Sequence, residues 1–246
     1  LAGVEIFNVH ASFAPNLREE YLGLERLGWV GPAEPFTHPE GTGHPDLLFL
    51  AVLAEQAPSL GHWDALLQRG PVVGIGGSDA HQNTLPLALR DGERGDSYRR
   101  SLRWMSQHVA VQGDGPEAAE AALAAGRSFL VFEVLGTPVG AEVRLGDTPM
   151  GGSTDAVGTL SVRCPTLHPD SPRGVQEPEV LATVLRDGAP WAEGCGEHAV
   201  TGPGAYRVRF DIVPHHLEPW LGDDPEPWLT ALPWVYSQAI RVGLDP

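Results

Sequence analysis

An α/β portion followed by an all-β, sandwich-like portion is the fold class this sequence predicts, and three observations carry it. Pro71 to Gly77 is a short, β-branched, glycine-bounded apolar run, the pattern of a strand covered on both faces. Segments with helical caps and stops surround it. From Arg127 onward the chain turns to short apolar or alternating runs punctuated by Gly, Pro and Asp, as in a β-sandwich. With 246 residues, 42% of them hydrophobic, the chain can bury a sizeable core in one large or two small domains. The change of character falls between residues 127 and 145, and we divide the chain at 1–130 and 131–246.

Taken in order, residues 2–8 read as a strand and residues 16–29 as a helix, with Asn16 capping an Arg18-Glu19-Glu20 first turn. A Pro- and Gly-rich loop is expected from Trp29 to Asp46. Asp46 would cap a helix running to Glu55, with Leu47, Leu48, Leu50, Ala51 and Leu53 on one broad apolar face. His62 to Arg69 is a second helical piece stopped by Gly70. Beyond the Pro71–Gly77 strand, residues 83–95 look irregular, Ser97 to His108 helical, and Pro116 to Ala125 an alanine-rich helix ended by Gly126. Strands are expected at Ser128–Val134, Val139–Leu145, Thr159–Arg163, Val180–Arg186, Tyr206–Val213 and Trp234–Val242. Alternation at 206–210 would turn Tyr206, Val208 and Phe210 inward and leave Arg207 and Arg209 in water. His215-His216, beside Pro214, reads as a turn.

The chemistry concentrates where the apolar run ends, at Gly77-Ser78-Asp79-Ala80-His81. An extended chain sends Asp79 and His81 to the same side, and the carboxyl end of a barrel strand is where α/β barrels place their reactive groups. One carboxylate oxygen and one imidazole nitrogen form a donor pair that zinc, manganese and iron accept. The alternative is a plain Ser-Asp turn beside a surface histidine. Glu5 lies inside an apolar strand, where an unpaired carboxylate is expensive; it either faces solvent or an arginine, or stands at the pocket beside the metals. His10 follows at the same strand end, either as a substrate-facing, proton-transferring group or as an ordinary loop histidine. Asn8 and Ser78 are the substrate-binding candidates, Ser78 serving the turn first. Arg99, Arg100 and Arg103 could meet a phosphate or carboxylate, against the plainer reading of a solvated helix face.

Gly77-Ser78-Asp79-Ala80-His81 resembles the last metal-binding motif of the PHP (polymerase and histidinol phosphatase) metallohydrolases. Gly3 to Asn8 looks like the strand preceding that motif, and Trp63 to Gly70 like the helix leading into it. The CehA/McbA-like branch, whose barrel is followed by β-rich sequence, is the most similar in character. The resemblance implies the C-terminal part of a distorted PHP-type (β/α) barrel, then the β-sandwich as an accessory domain. It implies Asp79 and His81 as metal ligands, Glu5 and His10 as catalytic candidates, and two or three divalent ions acting on an ester or phosphate substrate. The family's N-terminal His-x-His, Thr-Asp-His-like segment, glutamate and His-Pro have no counterpart ahead of Gly3. Because the chain opens at Leu1 directly into strand-like sequence, we expect the C-terminal region of a longer protein, completed by its missing part or by another chain. Two ligands hold a metal poorly, so the chain alone is expected to bind zinc, manganese or iron weakly or not at all.

Composition narrows the partners. A formal charge of −16, with Asp+Glu at 32 against Lys+Arg at 16, disfavours nucleic acid and anionic membranes. No apolar run reaches the roughly 18 residues of a membrane helix. All the basic residues are arginines, which excludes Schiff-base and P-loop lysine chemistry. Cys164 and Cys195 either pair, closing a loop of about 30 residues, or remain buried thiols. The hydrolase has one rival from another class: a non-catalytic binding or structural protein built on the β-region, with a degenerate barrel remnant.

Overall fold

A computed structural model describes residues 3–244. Strand β1 (Gly3–Asn8) pairs in parallel with β2 (Val73–Gly77), Asn8 lying opposite Gly77. Residue 2, included in the expected strand, lies outside the described residues. The chain between them carries α1 (Val9–Phe13), α2 (Val30–Thr37) and α3 (Ala57–Leu67). After β2 come a long loop, α4 (Tyr98–Trp104), β3 (Ser106–Val109), α5 (Pro116–Ala124) and β4 (Ser128–Val131). The remainder is β-rich: β5 (Pro138–Val139), β6 (Glu142–Leu145), β7 (Thr148–Pro149), β8 (Ser153–Thr154), β9 (Gly158–Arg163) and β10 (Thr166–Leu167). Then follow β11 (Glu179–Arg186), β12 (Ala189–Glu193), β13 (Gly196–Val200), β14 (Gly204–Val213), β15 (Leu232–Ser237) and β16 (Ile240–Val242).

The result is a mixed α/β molecule with several sheets and, among the described residues, no closed barrel. The largest sheet runs β12-β11-β14-β15-β4-β3, with β16 and β8 attached beside β14; a second runs β13-β9-β6-β7. The large sheet crosses residue 130: β3 and β4 pair antiparallel with each other, and β4 pairs with β15. One continuous apolar core follows, containing Phe7, Phe49 and Trp104 from the first half and Phe132, Val162, Val208 and Tyr236 from the second. Its aromatic spine is closely packed, with Phe7 4.8 Å from Phe132, Trp104 5.4 Å from Phe132, and Phe132 6.0 Å from Tyr236 between ring centres, distances at which edge-on pairs attract beyond their area burial. No helix among the described residues is long and apolar enough to cross a membrane.

Two buried glutamines finish the small parallel sheet. Gln238, between β15 and β16, accepts from the Gly74 N–H at 2.8 Å and donates to the Gly74 carbonyl at 2.7 Å. Gln56 does the same for Asn8, at 3.1 and 2.7 Å. Each side-chain amide imitates the peptide group of an adjacent strand, satisfying main-chain groups that burial would otherwise leave unpaired.

Several expected elements are corrected. The helix expected over 16–29 shrinks to a π-helical turn at Leu17–Tyr21. Asn16 makes no side-chain cap, Gly23 turns left-handed at φ +67°, and buried Arg18 pulls the chain back by donating to the carbonyls of Ser12 and Glu25. The loop expected from Trp29 contains α2 instead: Pro32 sits in the first turn, where a missing N–H costs nothing, and Phe36 is sealed against Trp228 at 5.5 Å. The helix expected from Asp46 is a 3₁₀ segment, Pro45–Val52, capped by the His44 ring rather than by Asp46. It is apolar nearly all round because it is buried nearly all round. Helix α3 begins earlier than His62, at Ala57 with Pro58 in its first turn. The helix expected to reach His108 stops at Trp104, because residues 106–109 gain a full ladder against β4. The last strand breaks at Gln238.

Arg207 and Arg209 are also corrected. Strand β14 is buried along nearly all its length, so alternation does not carry Arg207 to water, and Arg209 keeps only 29% of its side chain exposed. Arg207, 3% exposed, forms a two-pronged pair with Asp64 of α3, both contacts 2.7 Å. Arg209 bonds Glu55 and Asp211. Cys164 and Cys195 are joined in a disulfide, with Cα atoms 5.7 Å apart.

Candidate metal centre

Asn8 ends β1 and starts α1: its Oδ1 accepts from the Ala11 N–H at 3.0 Å, the usual N-cap bond. This abrupt change from strand to helix places His10 in the first turn, beside the loop that leaves β2. In that loop Asp79 (φ +46°) and Gln82 (φ +52°) are both left-handed, flanking His81. Strained non-glycine residues persist only where their surroundings hold them, and they concentrate at sites.

Three ligand atoms converge there. His10 Nδ1 lies 4.0 Å from one Asp79 oxygen, and His81 Nε2 lies 3.7 Å from the other. The two rings meet edge-on, 5.0 Å between centres. One ligand atom from each of the three residues falls within 4.8 Å of the others. Ligands held about 2.1 Å from a tetrahedral ion are about 3.4 Å apart, so closure would need only small side-chain rotations. The side chains are 32% (His10), 45% (Asp79) and 43% (His81) exposed, open enough for an ion to enter. Beside them lies a recess of about 20 Å³, walled by Phe13, Phe49, Ser78 and Thr84 among others, room for about one water or ion.

The recess is braced from behind by Asp96. Burial pushes its carboxyl up, but the Leu85 and Thr84 N–H groups and the Arg94 guanidinium outweigh that and hold it below the usual carboxylate range. Arg94 also donates to the Gln82 carbonyl at 2.6 Å, tying down the residue after His81. Sequence reasoning missed this brace, although Arg94-Gly95-Asp96 spaces a cation and an anion for mutual contact.

The other predicted site residues sit as follows. Glu5 is exposed on β1, accepts from Asn8 Nδ2 at 3.0 Å, and lies against Gly77, where any Cβ would collide with its carboxylate. It stands beside the strand end without joining the three-residue cluster. Asn8 spends both side-chain groups on the cap and on Glu5. Ser78 lines the recess. A second acidic group, Asp46, Asp91 and Glu93, also converges. Arg99 and Arg100 already bridge those carboxylates, so guanidinium groups fill the place of a cation.

No family model matches the chain, and no curated protein or solved structure matches it either.

Proposed function

We propose that this chain is part of a PHP-type, metal-dependent hydrolase, a phosphoesterase or related esterase, and that His10, Asp79 and His81 form one side of its metal site. The convergence of those three ligand atoms within 4.8 Å carries the reading. Two imidazoles and a carboxylate are a donor set that zinc, manganese or iron accepts, and three protein ligands with an open position is the catalytic arrangement for zinc. When bound, such an ion lowers the pKa of a coordinated water and polarises an ester or phosphate oxygen. The chain's own residues hold the site: Asn8 fixes the start of α1 so that His10 faces Asp79, and the Asp96–Arg94 brace fixes the 78–82 turn. In this reading His10 is a ligand first, Glu5 stands near the strand end, and the β-region from residue 131 is an accessory sandwich-like module against the end of the barrel.

Calorimetric titration with Zn²⁺ or Mn²⁺ tests it. Weak uptake is expected from this chain and one saturable site from a form that carries the remaining ligands, weakened by more than about tenfold in Asp79→Ala or His81→Ala. Hydrolysis of an aryl phosphate is expected only from a form that carries the remaining ligands. No saturable uptake by a form that carries the remaining ligands, or uptake indifferent to both substitutions, sinks the proposal. A second reading, a non-catalytic binding protein with a degenerate barrel remnant, draws support from the lack of a closed barrel among the described residues.

A further inference from the structure

A larger cleft than the recess beside His10 lies elsewhere. A cleft of about 710 Å³ opens on the other side of α4, between that helix, the 133–137 turn and the 168–172 segment. Its size is that of a site for a small organic ligand, and Leu47, Val134, Leu217 and Trp220 give it apolar wall. Three arginines of α4 line it, and they are not equivalent. Arg99 is held by Asp46 and Glu93, and Arg100 by Asp46 and Asp91. Arg103 has no carboxylate or other partner among the described residues. In a chain of net charge −16, an uncompensated guanidinium on the wall of this cleft is a conspicuous anion receptor.

Trp104, next in the chain, adds buried apolar wall beside Arg103. Across the cleft Glu133 would oppose an anion, but its carboxylate is engaged by Ser106 at 2.5 Å and by His108 and Thr137 at 2.6 Å each.

We propose that this cleft binds a small carboxylate or phosphate carrying an aromatic or other apolar body, with Arg103 as counter-charge. The inference is independent of the metal site, whose residues do not line this cleft.

Calorimetry with phenyl phosphate and phenylacetate, against neutral phenylacetamide and with EDTA throughout, tests it on the whole chain. At least one anion is expected to saturate, with the amide at least about tenfold weaker. Arg103→Gln should weaken the anion by about tenfold while leaving the thermal midpoint unchanged, and Arg103→Lys should restore part of the loss. The relative affinity of the two anions decides between carboxylate and phosphate. Absence of saturable binding, an amide that binds as well as the acid, or binding indifferent to Arg103→Gln overturns the proposal, and none of these bears on metal uptake.

Discussion

His216 carries the clearest pH signature of any single side chain. It is 1% exposed, its Nε2 donates to the Leu135 carbonyl at 3.1 Å, and its Nδ1 has no partner among the described residues. Burial pushes its pKa down to about 4, against a partial lift from the Leu135 bond. Between that value and the ordinary 6.5 the unfolded chain accepts a proton that the folded one refuses. Stability contributed here is therefore complete above about pH 6.5 and lost as the pH falls toward 4, by a total on the order of 3 kcal/mol. Urea unfolding at pH 7 and pH 5 should register most of the drop, and His216→Gln should flatten it; a variant with the full slope contradicts the assignment. Sequence showed His216 only as part of a turn, since nothing local announces that Leu135 will cover it. Arg207 was illegible for a related reason: alternation assumes one wet face, and β14 is buried at every position but Arg209. Asp79 and His81 do approach each other, but through a left-handed turn past the end of β2 and not by the extended-chain alternation the sequence suggested. Their meeting with His10, 69 positions earlier, depends on the β1–β2 pairing.

At the scale of elements, the strand pattern of the second half was readable where strands are long and alternate, as in β9 and β11, and less so where pairing partners decide. Residues 106–109 have no strong strand pattern; the free edge of β4 makes them one. The 45–52 segment presents apolar residues all round, so periodicity offers no face to recognise. The disulfide is the element-level contact with the largest expected effect. Cys164 leaves β9, and Cys195 sits in the turn from β12 to β13, so the bridge joins the second sheet to the connection between both sheets. With a separation of 31 residues, replacing both cysteines by serine should cost about 3–4 kcal/mol. Equilibrium unfolding of the double variant checks this; a loss below about 1 kcal/mol would mean the loop is already ordered without the bridge.

For the molecule as a whole, composition and pattern foretold a mixed α/β molecule with a β-rich second half, but could not foretell that its principal sheet ignores the division at residue 130. Long-range pairing of β4 with β15 and the reach of Arg207 to Asp64 are properties of the assembled core. A fragment of residues 131–246 would lose β3, nearly all of β4 and the partner of a buried guanidinium, and leaving such a charge unpaired is severely destabilising. It should show no cooperative thermal transition by circular dichroism, whereas the full chain should melt as one unit; a sharply melting fragment would establish the second half as autonomous.

The amides of Gln56 and Gln238 have a consequence for growth of the small parallel sheet. Both are at most 2% exposed, and each already occupies the berth that a newcomer's backbone would take. Any incoming segment that sought to widen the ribbon at Asn8 or Gly74 would first have to evict a glutamine. The ribbon is thus chaperoned at its two flanks against promiscuous annealing, and extension is restricted to stretches those plugs leave uncovered.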